Sequence, residues 1–164
     1  MPHVILTVLL GTVSTYGRRL AMGVPIWWLI AFQAFRIPLE MLLHQFYREG
    51  IAPVQMMYLG RNFDIPSGLT AIPVAWIAMR GKAPKMLILL WNCLGLALLA
   101  NIVGVVATSV PGPLRLFWNE RSAGFIGEFP YVLVPTVFVT SALFGPLLVF
   151  RRLRNDPVLA TSAR

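Results

Sequence analysis

The sequence predicts an all-α fold, a polytopic transmembrane helix bundle of about five spans. Three observations predict it. Apolar residues make up 57% of the 164-residue chain and charged residues only 12%, about half the roughly 25% that covers a soluble domain. The apolar residues fall into five runs separated by shorter polar stretches. Basic residues gather at the ends of those runs, which is where orientation is encoded in a membrane protein.

The net charge of +8 and pI near 10.8 would also suit a nucleic-acid binder. Such a protein carries a basic patch or stripe on one element, whereas these cations are dispersed at run ends, so nucleic acid is not an expected partner. The lone Cys93 excludes an internal disulfide. Inside an apolar run, it is expected to be a small buried side chain.

Residues 2–16 read as a short first span. A cleaved signal peptide carries its charge ahead of the apolar stretch, but Arg18 and Arg19 follow it, so the segment is expected to be retained. Residues 22–47 form the second span and 65–79 a marginal third. Residues 86–110 form the fourth and, at about 1.5 Å per residue, exceed the roughly 30 Å of a bilayer core. Residues 129–150 form the fifth. Residues 1–150 are thus one transmembrane domain, and 151–164 a basic cytoplasmic tail in which Asn155, Asp156 and Pro157 stop the helix.

Five crossings would put Arg18, Arg19, Arg80, Lys82, Lys85, Arg151, Arg152, Arg154 and Arg164 on one side. Arg48, Arg61, Arg115 and Arg121 would face the other. The richer side faces the cytoplasm, predicting a multi-pass protein of the cell inner membrane with its N-terminus outside and C-terminus cytoplasmic. The lipid bilayer is the expected partner, with room for a membrane-protein partner or a second copy. No internal repeat supports an inverted-repeat transporter.

The second span contains FRIPLEMLLHQFY, residues 35–47, in which Arg36, Glu40 and His44 recur at i, i+4 and i+8. That spacing stacks them on one helix face, with Gln33 extending the stripe. A charge near the bilayer centre costs about 2.5–3.5 kcal/mol on insertion scales, so the stripe demands partners. Two accounts stay open. Arg36 and Glu40 pair one turn apart and brace a helix bent at Pro38, or the stripe lines an outward-facing polar cavity that binds a ligand or relays protons. His44 reads as an interfacial residue, with a part in proton relay only if it lines the cavity.

The following loop, YREGIAPVQMMYLGRNFDIPSGLTA, holds an apolar piece at 54–59 too short to span, hence interfacial or re-entrant. Asp64 precedes the third helix, where its carboxylate would cap the first turn, in keeping with Pro66. Alternatively, Arg61 and Asp64 lean over the cavity mouth, Arg61 pairing Glu40 or an anionic ligand. The pattern FR-x-x-x-E-x-x-x-H followed by GRNFD resembles small uncharacterised bacterial multi-pass membrane proteins over residues 33–70. The resemblance implies a bacterial inner-membrane setting and no particular activity.

In the fourth run Asn92 and Asn101 lie half a turn out of phase, so each is expected to bond a neighbouring helix, while Gly95 and Gly104 admit close approach. The aromatic loop at 111–130 reads as interfacial or as a lid over the stripe. Only His3 and His44 could serve as imidazole ligands, and no HExxH, CxxC or Gly-rich phosphate loop occurs. No metal is expected, no cofactor is identified, and an enzyme is not the expected class. The reading is a membrane protein that binds a small polar or anionic ligand, or relays protons, through Arg36, Glu40, His44, Arg61 and Asp64. The alternative is a structural or assembly subunit of a membrane complex.

Overall fold

The computed structural model describes residues 2–118 and 121–155. The stop at Asp156 and Pro157, the tail beyond it and Glu120 lie outside the described residues, as does the side chain of His3. Among the described residues every regular element is helical.

The first run is not one helix. α1 (Pro2–Val13) ends before Ser14, whose hydroxyl accepts from Gly17 N and caps α2 (Thr15–Gly23). Arg18 and Arg19 therefore lie inside α2 rather than in a connection. Carbonyls at or just beyond the C-terminal ends of both helices are met from the far end of the chain. Arg151 donates to Thr12 O and Ser14 O, and Arg152 to Ala21 O and Met22 O. Cations at helix C-termini satisfy orphan acceptors and the negative end of the dipole together.

Next, α3 (Ile26–Ala31), a 3-10 turn (Phe32–Phe35) and α4 (Arg36–Arg48) run as one continuous helix, Ile26–Arg48. The tightened turn lies just ahead of Pro38, which has no N–H for the carbonyl of Ala34. α5 (Ile65–Met79) matches the third predicted run. α6 spans Lys85–Ala107, and α7 (Val139–Asn155) is entered through a π-helical turn at Val134–Phe138. α7 continues past Phe150 through Arg151, Arg152 and Arg154, so residues 151–155 belong to the bundle.

Among the described residues three helices are long and apolar enough to cross a membrane: Ile26–Arg48, Lys85–Ala107 and Val134–Asn155. α5, with 15 residues, and α1, with 12, are shorter than the roughly 20 that a span needs. Large apolar side chains such as Leu90, Leu94, Ile72 and Trp76 face outward, a surface suited to acyl chains rather than water. Cys93 shares this exposed face, so it is not the buried residue expected.

α3 packs on α5, α6 on α7, and α1 and α2 on α7. One apolar cluster joins Ala21, Ile30, Ala71, Val74, Ile88, Trp91 and Leu148. A second, built on Leu43, Met56, Met57, Ala123, Ile126 and Val134, ties the two long loops to the end of α4. Between them Leu99, Ile102, Val105 and Ala142 join α6 to α7. Ile30 and Leu43 belong to different clusters, and Arg36 lies between them, roughly 10 Å along the helix from each.

Candidate functional site

The stripe faces inward. Gln33, Arg36, Glu40 and Leu43 are buried, while Pro38, Met41 and Leu42 on other faces are exposed. Arg36 is 1% exposed and Glu40 4%, so both charges need protein partners.

Arg36 does not pair with Glu40. Its Nη1 meets Asp64 Oδ1 at 2.5 Å, and the same nitrogen donates to Gly95 O on α6 at 3.1 Å. Its Nη2 donates to Ala142 O on α7, and its Nε to Gln33 Oε1, each at 3.1 Å. One guanidinium thus joins the mid-helix of α3–α4 to α5, α6 and α7. The acceptor on α7 has a local cause. Pro146 has no N–H, so it leaves the carbonyl four residues earlier, that of Ala142, without its helical donor, and Arg36 supplies one. Gln33 fits because Gly145 has no side chain: a Cβ there would sit 2.0 Å from Gln33 Nε2.

Asp64 holds the backbone position expected of a cap, its carbonyl accepting from Ser67 N and Gly68 N. Its carboxylate does not cap. It turns instead to Arg36, since the Ser67 and Gly68 amides are already met by the Asp64 carbonyl and Pro66 has no N–H to cap. Burial pushes the Asp64 carboxyl above its ordinary value, and the adjacent Arg36 pulls against that shift.

Glu40 accepts from Tyr58 N at 2.8 Å and from Asn62 Nδ2. Asn62, which the sequence reading passed over, is 2% exposed. Its Nδ2 also donates to Met56 O, and its Oδ1 accepts from Asp64 N. This one amide links the Glu40 carboxylate to the Asp64 backbone and folds the loop inward. Residues 54–59 are accordingly no re-entrant helix: a 3-10 turn at Val54–Met56 buries Gln55, Met56 and Met57 beneath α4. Gln55 Nε2 donates to Ser109 Oγ, and Ala123 N to Ser109 O, so both long loops close over the same end of the bundle.

Arg61 stays outside the cluster. Its guanidinium lies 5.1 Å from the Phe117 ring centroid, and its carbonyl accepts from Asn101 Nδ2. It neither meets Glu40 nor leans over the site. Asn101 therefore anchors a loop rather than a helix, whereas Asn92 does bond a helix, donating to Pro146 O. Gly95 approaches Ser67, but a Cβ at Gly104 would meet nothing within 4 Å. His44 is half-buried beside the rings of Tyr47 and Tyr58, one turn beyond Glu40 and apart from the network.

Arg36, Glu40, Asn62 and Asp64 form the polar end of a cavity of about 490 Å³, within the 300–1,000 Å³ of small-molecule sites. Its walls are aliphatic: Leu39 and Leu43 from α4, Leu96 and Leu99 from α6, Val139 and Leu143 from α7. Ile126, from the 3-10 turn at Ala123–Gly127, closes it as a lid. Ala100, Val103 and Ala107 line it and are also exposed, so it opens sideways along one face of α6. Neither His44 nor Arg61 lines it. Among the described residues no three of His, Cys, Asp and Glu converge as a metal-ligand set. Comparison with family models, curated proteins and solved structures gives no match, so the site is read from its own geometry.

Proposed function

We propose that this chain is a multi-pass membrane protein that binds an amphiphilic molecule. The ligand's apolar body lies in the cavity between α4, α6 and α7, and its polar head meets Glu40, Asn62 and Asp64. The observation that carries this reading is the pairing of aliphatic walls with a buried polar end and a sideways mouth. A water-soluble ligand would gain little from such walls, whereas an acyl-like chain exchanges one apolar surrounding for another. Arg36 and Asp64 shape the site, and Glu40 offers its remaining acceptor positions to the head.

The test uses a photoreactive dodecanol, a neutral single-chain probe, on protein in phosphatidylcholine nanodiscs. Labelling is expected at Leu99, Val139 and Leu143. Val103→Trp at the mouth should cut it about tenfold, equivalent to about 1.4 kcal/mol, without changing the melting temperature. Labelling confined to outward residues such as Leu90 and Leu94, unaffected by Val103→Trp, would defeat the reading. That result would favour a structural subunit, in which the Arg36 network serves only as a brace.

The same reading places the chain in a bacterial inner membrane, crossing about five times, with its N-terminus outside and C-terminus in the cytoplasm. The contact of Gln55 with Ser109 supports one side for the two long loops, and the meeting of Arg151 and Arg152 with the ends of α1 and α2 supports a common side for those segments. On a Cys93→Ala background, a cysteine at Arg121 should react with an impermeant maleimide added outside, and one at Lys82 should not. The reverse pattern would invert the orientation.

A further inference from the structure

The polar end of the cavity has engaged all but one of its donors and kept most of its acceptors. Arg36 directs N–H groups to Gln33, Asp64, Gly95 O and Ala142 O, four of the five it owns. Asn62 has two amide hydrogens, and Glu40 and Met56 O take both. The Tyr58 N–H is held by Glu40. On the other side stand two carboxylates, each with about four acceptor positions. Arg36, Tyr58 and Asn62 fill one position each. The charges agree with this count, since a single guanidinium faces two carboxylates. The fork of Arg36 is closed by its own helices, and Arg61, whose fork the sequence suggested for an anion, does not line the cavity.

We propose that the cavity selects amphiphiles whose head donates hydrogen bonds and carries positive charge, an alkyl ammonium above all, and discriminates against carboxylate and phosphate heads. This rests on the amphiphile reading and adds the chemistry of the head. An ammonium brings three donors to positions where Glu40 and Asp64 can accept, and it offsets the surplus carboxylate in a medium that screens charge poorly. A carboxylate head brings no donor and meets like charge. An alcohol brings one donor and no charge, so it ranks between them.

The experiment is a competition against the photoreactive dodecanol in phosphatidylcholine nanodiscs at neutral pH. Dodecylamine, dodecanol and dodecanoate compete, and labelling at outward Leu90 serves as the reference for partitioning into the disc. Dodecylamine should displace the probe from Leu99 and Val139 at about tenfold lower concentration than dodecanoate, a difference of about 1.4 kcal/mol. In Glu40→Gln the gap should shrink to about threefold or less, because one carboxylate is gone. The wild-type ranking decides the matter even if that variant does not fold. Equal displacement by amine and carboxylate, with the cavity still labelled, would overturn the head-group assignment and leave the amphiphile reading standing. Absence of cavity labelling would remove both.

Discussion

Arg36 and Asp64 are 28 positions apart in the sequence and 2.5 Å apart in the fold. Their pair ties the middle of the α3–α4 helix to the start of α5, with neither partner open to solvent. Breaking a buried pair from one side strands the other charge and costs about 3–5 kcal/mol. Asp64→Ala should therefore destabilise the purified protein by that order in a denaturant titration. Asp64→Leu combined with Arg36→Met should cost far less than the two single changes summed, which a double-mutant cycle would read directly.

The carbonyl of Ala142 accepts from Arg36 because Pro146 cannot reach back to it. Pro146→Ala would restore the helical donor. Arg36→Lys, which loses the fork, should then be better tolerated on the Pro146→Ala background than in wild type. The expected relief is about 1 kcal/mol, the low end of the penalty for a buried unsatisfied acceptor. Equal cost on both backgrounds would show that the carbonyl is satisfied some other way.

Glu40 holds the loop after α4 through Tyr58 N and Asn62 Nδ2. Glutamine has one acceptor oxygen, so Glu40→Gln keeps one of these bonds and turns an amide towards the other donor. The Tyr58 N–H should exchange with solvent about ten times faster, corresponding to about 1.4 kcal/mol. Amides of α5, away from the loop, should keep their protection. Uniform acceleration across the protein would instead point to global loosening.

Gly68 and Gly104 are both helical glycines with opposite surroundings. A Cβ at Gly68 would lie 2.9 Å from Ile37 Cγ1 and 3.3 Å from Ile37 N, forcing α5 off α4. At Gly104 it would meet nothing within 4 Å. Gly68→Ala should lower stability by about 1–3 kcal/mol, the range for overpacking. Gly104→Ala should raise it by up to about 1 kcal/mol through helix propensity. Melting temperatures moving in the same direction would contradict the packing described.

The helical class, the bounds of α5 and the inward stripe were all legible in the sequence. Each depends on hydropathy and on spacing within one segment, which fix which residues can share a face. Arg36 and Glu40 stood out because a charge in an apolar run has to be accounted for, and Asp64 because an acid just ahead of a helix reads as its cap. Asn62 did not, since a polar residue in a loop normally reads as solvated. One signal went unused: Pro146 inside an apolar helix announces a free carbonyl at Ala142, an acceptor waiting for a buried donor.

Only the tertiary structure decided who partners whom. The helical spacing offered Glu40 to Arg36, and the packing of α5 brought Asp64 in its place. Asp64 could have capped its own helix, and Arg61 could have swung towards Glu40; the folded loop sent the first inward and laid the second over Phe117. The reason is physical. Sequence spacing sets which groups are near along one helix, but a buried charge goes to whichever partner the assembled bundle delivers, and that depends on contacts made across the whole chain.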